Sequence, residues 1–201
     1  SEGGDSAGQG SEEAGFTAED GISPMMWRVT DVDGHELYLF GTIHAGDVRM
    51  PSAVSKITPV LSSCDALAVE FDTVAYEQDL SAQMKDIMQF VLQDGTTIKD
   101  HLPEETYLGA VQLLKDTELY QYTLEMYNAA MWSQFVDQAA LIGYCSLDFD
   151  NGVERHIIAY AYDHDMPVLD VESASFQYGL MNSFSDELYV IQIDSTLESL
   201  E

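Results

Sequence analysis

The sequence predicts an α/β fold, with a mostly parallel central sheet, an N-terminal β-hairpin and helices inserted between the later strands. Three observations carry that expectation. Apolar runs of strand length recur at "LYLF", "ALAVE" and "MPVLDVE". The last two are continuous rather than alternating, as strands covered on both faces are. The stretches between them space their apolar residues at three and four, the helical period.

The elements follow in order. "PMMWRVTDVDGHELYLFGTIH" holds two β-rich runs around Asp33-Gly34, a dipeptide suited to a type I′ hairpin turn. "MPSAVSKITPVLSSCD" reads as a short helix with Pro51 in its first turn and Pro59 kinking or ending it. "ALAVEFD" is a buried strand closing on Glu70 and Asp72. "AYEQDLSAQMKDIMQFVLQDG" predicts one helix with Leu80, Met84, Ile87, Met88, Val91 and Leu92 as its packing stripe and Gly95 as its stop. "LPEETYLGAVQLLKD" and "LYQYTLEMYNAAMWSQFVDQAALIG" continue helically, "VERHIIAYAYDHD" is a further helix, and "MPVLDVES" a further buried strand. From Ser173 onward two more helices are expected, the second opened by Ser185.

Composition narrows the function. With 36 acidic against 7 basic residues, a formal charge of -29, the surface repels phosphate backbones and anionic head groups, so nucleic acid is not an expected partner. The same charge is either a solvated surface or a field that attracts cations and basic ligands. Residues 1–24, rich in Gly, Ser and acid, read as a flexible acidic tether, and 25–201 as a single domain. Such a tether commonly follows an export signal or a lipid-anchored cysteine. An exported or bacterial cell-surface protein is therefore expected, touching a membrane only through an N-terminal lipid anchor. Cys64 and Cys145 lie beside apolar residues and are expected as buried free thiols.

In a parallel sheet the C-terminal strand ends share one edge, where ligands bind. His44 follows "LYLF", Glu70 ends "ALAVE" and Glu172 ends "PVLDVE", so all three are expected on one rim. An imidazole with one or two carboxylates there can hold a divalent metal ion, with His44 and Glu70 as ligands. Alternatively a carboxylate serves as general base without metal, or the residues are polar strand ends that aid solubility. Gly41 would let backbone or ligand approach closely.

These segments together resemble the TraB/PrgY/GumN family, which includes the Tiki metalloproteases and is related in fold to the erythromycin esterase and ChaN-like proteins. "LYLFGTIHAGD" looks like its first G-x-x-H motif and "DALAVEFD" like its glutamate strand. "NGVERHIIAYAYDHDMPVLDVESASFQ" is similar to its Gly-x-acid helix start, its Pro-Val strand and its Glu-Ser/Thr followed by Gln. The resemblance implies a metal-binding or catalytic role for His44, with Glu70 paired to it and Glu172 as a further catalytic group. It also marks Glu154 and Gln177 as site residues, which join Gly41 as expected substrate-binding positions. Read by themselves, Glu154 is a helix-start carboxylate favoured by the dipole and Gln177 a surface amide. His35, His101, His156 and His164 read as ordinary polar residues.

The resemblance further implies a metal-dependent, peptidase-like hydrolase using manganese, cobalt or zinc on a peptide or small-molecule ligand. The alternative is a non-catalytic, peptide-binding or pheromone-regulating surface protein using the same groove. No second G-x-x-H occurs after Glu172, so relative to that pattern the domain is expected to be incomplete at its C-terminus.

Overall fold

The computed structural model describes residues 24–200, so all but the last residue of the expected tether lies outside it. Strands β1 (Met26–Thr30) and β2 (Glu36–Phe40) form the antiparallel hairpin, with Met26 opposite Phe40 and Thr30 opposite Glu36. The expected type I′ turn is not formed. Asp31 Oδ1 accepts from the Asp33 and His35 amides, at 2.9 and 2.8 Å, and of Asp33 and Gly34 only the glycine takes a positive φ, +87°. A type I′ turn needs positive φ at both central residues, so the Asp31 side chain organises a wider loop instead.

Helix α1 (Met50–Leu61) begins with Pro51 in its first turn and ends two residues after Pro59. Strand β3 (Leu67–Val69) is followed by α2 (Thr73–Gln78) and α3 (Leu80–Met88). The single helix expected here is divided at Asp79, whose side chain accepts from the Ala82 amide at 3.0 Å. That break resets the helical phase. Leu80 is 71% exposed, Met84, Ile87 and Met88 are exposed too, and Asp86 is the buried residue of α3. Asp86 accepts from the Tyr76 hydroxyl at 3.2 Å and the Ser175 hydroxyl at 2.7 Å, as a buried carboxyl requires.

Helices α4 (Glu104–Asp116) and α5 (Ala129–Cys145) follow. The residues before α5 were expected to be helical. They form only a 3₁₀ segment, Tyr122–Met126, and the Asn128 side chain then caps α5 from the Met131 amide. Helix α6 (Val153–Asp163) leads into β4 (Val168–Asp170), and α7 (Ala174–Met181) and α8 (Asp186–Ser199) complete the described chain. Both expected helices after Ser173 are present.

Among the described residues the mostly parallel central sheet is not seen. Two separate pairs occur, β1–β2 and the parallel β3–β4, in which Leu67 lies opposite Val168. Strand β3 was expected to be covered on both faces, yet Val69 is buried while Ala68 is exposed. Helices α1 and α6 pack on one side only, building a small core of Met26, Val54, Ile57, Val153 and Ile157 with Tyr38 and Phe40 against it. The larger core is helical: α4, α5 and α8 pack around Phe90, Ile98, Leu114, Trp132, Val136 and Ile193. Both cysteines are free, but only Cys64 is partly buried and Cys145 is exposed, so the expectation of two buried thiols fails at Cys145.

Trp132 is 0% exposed and donates its indole N–H to the Leu124 carbonyl at 2.9 Å. Trp132→Ala removes the largest side chain of this core together with that bond. It is expected to lower unfolding stability by roughly 3–5 kcal/mol, read as a lower midpoint in urea with an unchanged slope.

Candidate functional site

The loop after β2 carries His44, and two close backbone approaches hold it. Gly46 and Asp148 exchange backbone hydrogen bonds at 2.8 and 2.9 Å, and the Val153 amide bonds the Ile43 carbonyl at 3.0 Å. A β-carbon on Gly46 would lie 2.3 Å from the Asn151 carbonyl oxygen, and one on Gly152 would lie 2.2 Å from that of His44. Neither position admits a side chain without a backbone shift. Gly152 is also the N-cap of α6, so the approach that fixes His44 brings it to the first turn of that helix, which carries Glu154.

Glu154 is 4% exposed. Its Oε2 lies 2.6 Å from His44 Nδ1, yet it forms no aligned hydrogen bond to any described residue. At this distance the carboxyl is paired with the ring nitrogen, and the pair is one of opposite charges when the ring is protonated. Glu154 holds the His44 imidazole above the ordinary histidine range, partial burial opposes this, and the fields of Glu154 and Glu70 add to the rise.

On the other side of the ring, His44 Nε2 stands 3.9 Å from Glu70 Oε2. Glu70 directly follows β3 and Glu172 lies just beyond β4, and the parallel pairing continues between them: the Glu172 amide bonds the Glu70 carbonyl at 2.8 Å. Gln177, on α7, then joins their side chains. Its Nε2 donates to Glu70 Oε2 at 3.0 Å and to Glu172 Oε2 at 3.1 Å. His44, Glu70, Glu154, Glu172 and Gln177 thus form one chain of contacts.

Gly41 is different. It does not line the cleft beside this cluster, and an added β-carbon there would meet only Met25 at ordinary contact distance. The glycines that matter for position are Gly46 and Gly152. The second stands in the Gly-x-acid motif of the sequence, but a close approach between loops distant in the chain leaves no local signal.

Three of the remaining histidines find partners that sequence did not reveal. His35 Nδ1 lies 2.7 Å from Asp31 Oδ2, His101 contacts Thr96 at 2.8 Å and Asp186 at 3.3 Å, and His164 stacks on Tyr160. His156 Nε2 is buried without a partner among the described residues. Asp31, Asp33 and His35 bring their ligand atoms within 4.8 Å of one another, but all three are exposed on the hairpin turn.

The fold and site define a mixed, mostly helical α/β protein with a histidine–carboxyl cluster where two strand ends meet a helix start. The family profile described as TraB/PrgY/gumN matches residues 25–201, and the chain belongs to that family. No curated protein and no solved structure matches the chain. Among the described residues no helix is long and apolar enough to cross a membrane.

Because His44 titrates higher in the folded chain than its unfolded value near 6.5, its contribution to stability is fully present below about pH 6.5. That contribution is lost as pH rises through the raised folded value. In ¹H–¹³C NMR titrations the His44 ring of the wild type is expected to have a midpoint above 6.5, and Glu154→Gln is expected to lower it. Gly152→Ala is expected to destabilise the fold and to perturb the His44 ring resonances, since the new β-carbon must displace the His44 carbonyl.

Proposed function

We propose that the chain is a metal-dependent hydrolase acting on peptides, with His44 and Glu70 as metal ligands and Glu172 beside them. The observation that carries this reading is the placement of His44 between two carboxyls, one at each ring nitrogen. Two donor atoms about 2.1 Å from one tetrahedral ion stand about 3.4 Å apart. The 3.9 Å between His44 Nε2 and Glu70 Oε2 is within a small side-chain adjustment of that spacing. Glu154, 2.6 Å from Nδ1, stands where a carboxyl behind a ligating histidine usually stands. One imidazole among carboxyls suits manganese, cobalt or zinc. His44 and Glu70 thus offer two donors to a divalent ion, and among the described residues no third histidine, cysteine or carboxylate atom lies within 4.8 Å of both.

Such an ion supplies Lewis acidity and a water that is nucleophilic near neutral pH. The chain's own residues would do the rest. Glu154 fixes the ring so that Nε2 faces Glu70, and the Gln177 amide holds Glu70 and Glu172 in a common orientation. Glu172, exposed at the same mouth, would take a proton from a water or give one to a leaving amine. Binding through a neutral imidazole must weaken as pH falls through the raised His44 value. The Gly-, Ser- and acid-rich opening supports the further reading that the protein is exported or held at the cell surface.

The test is cleavage of a fluorogenic peptide library with added manganese or cobalt. Activity is expected to vanish in EDTA and in His44→Ala, and to fall roughly 10–100-fold in Glu154→Gln. Equal cleavage by wild type and His44→Ala would remove the histidine from the mechanism. Peptide binding without turnover under every metal condition would favour the non-catalytic reading of the same groove.

A further inference from the structure

The two small sheets leave free edges on one cleft. Its volume is about 810 Å³, within the range that holds a ligand. One wall is β2 and another is β3 with Glu70. The floor includes Ile57, Val60 and Leu61 of α1 and Ile157 of α6.

The hydrogen-bond parity of the strands shows which backbone groups are unused. Gly41 N–H bonds the Met25 carbonyl and Asp31 N–H bonds the His35 carbonyl, both at 3.0 Å. In antiparallel pairing, residues bonded to the partner alternate with residues turned away. Leu37 and Leu39 therefore face β1, and Glu36, Tyr38 and Phe40 direct their N–H and C=O groups to the outer edge. In β3, Leu67 N–H bonds the Pro167 carbonyl and the Val69 carbonyl accepts from Val171 N–H, both at 2.9 Å. Ala68 between them turns its N–H and C=O away from β4, and it is exposed. Among the described residues neither outer edge is paired.

We propose that this cleft accepts an extended peptide of alternating basic and apolar side chains as an added strand between β2 and β3, with one end at Glu70 and Glu172. The proposal rests on the peptide-directed reading above and names its substrate class. Backbone groups of Tyr38, Phe40 and Ala68 bond the peptide main chain, which is the recognition mode of unpaired sheet edges. Side chains alternate in a strand, so one set descends onto the apolar floor and the other rises to the rim. Glu70, on the face of β3 opposite the buried Val69, and the neighbouring Asp65 and Glu172 are all exposed on the cleft, and so select basic residues. A second copy of this chain is the poorer occupant, because a net charge of -29 repels its like.

The test is fluorescence anisotropy with the full chain in EDTA, so that binding is read with any metal-dependent turnover switched off. Three fluorescein-labelled hexapeptides serve as probes: Lys-Val-Lys-Val-Lys-Val, its glutamate counterpart, and the lysine peptide N-methylated at every second residue. The lysine peptide is expected to bind saturably, to weaken with salt, and to bind at least roughly tenfold more tightly than either control. N-methylation at every second residue removes the N–H groups along one edge of the peptide, and so one of its two strand pairings, without altering charge or side chains. Equal binding of the N-methylated peptide, equal binding of the glutamate peptide, or no binding overturns the proposal. So does sedimentation showing a dimer that excludes the peptide. Binding without cleavage under any metal condition would leave this proposal standing and sink the hydrolase reading, whereas cleavage of other peptides without this binding would do the reverse.

Discussion

The buried carboxyl of Glu154 is the constraint on which the site depends. A carboxyl almost fully removed from water at a helix start costs several kcal/mol unless positive charge reaches it. The α6 N-terminus supplies part of that charge, and the His44 ring lies 2.6 Å away to add to it when protonated. Exposed pairs such as Arg28–Glu36 are worth about 0–1 kcal/mol and decide little. The Glu154–His44 contact decides where the loop after β2 must lie, and it is realisable only because Gly152 and Gly46 carry no side chain. With His44 placed, the ends of β3 and β4 bring Glu70 and Glu172 to the same mouth.

The helical half of the protein sets the opposite side of the site. Helix α7 carries Gln177, and its direction is fixed by contacts with the larger core and the helices beside it. Ser175 bonds the buried Asp86, the Tyr178 ring meets Phe90 edge to face at 5.9 Å, and Asn182 bonds Asn128 at 2.7 Å and the Gln89 carbonyl at 3.1 Å. These anchors surround Gln177 in sequence and leave its amide aimed at the two glutamates. The residues inserted between β3 and α6 are therefore more than a spacer: they orient the group that bridges Glu70 to Glu172.

Sequence made the gathering of the site residues legible more readily than the architecture. His44, Glu70 and Glu172 could be placed together because each follows an apolar run of strand length, and strand ends gather. They do gather, although β2 and β3 are not paired to each other; the bridging comes from the Gly46–Asp148 contact and from the β3–β4 pair. Glu154 and Gln177 were visible only through the family pattern, since a helix-start acid and a helical amide have ordinary structural roles. The stripe of Leu80, Met84, Ile87 and Met88 stays on one face of α3 but faces outward, because the break capped by Asp79 frees α3 to turn Asp86 inward instead. The hairpin turn was misread because the Asp31 side chain competes with the backbone for the same amides.

The electrostatics of the cluster give it a direction of use. Glu70 and Glu172 share one neutral donor, the Gln177 Nε2, and amide hydrogen bonds orient two carboxyls without cancelling charge. His44 is drawn toward Glu154 more closely than toward Glu70, by 2.6 against 3.9 Å, so its positive charge is spent largely on the buried partner. The exposed pair is left under-neutralised at the mouth of a cleft with an apolar floor, in a chain whose net charge deepens the potential further. The metal ion and the basic side chains proposed above would draw on the same field, the metal ion only where His44 is neutral, and the free strand edges would distinguish a peptide from a bare ion.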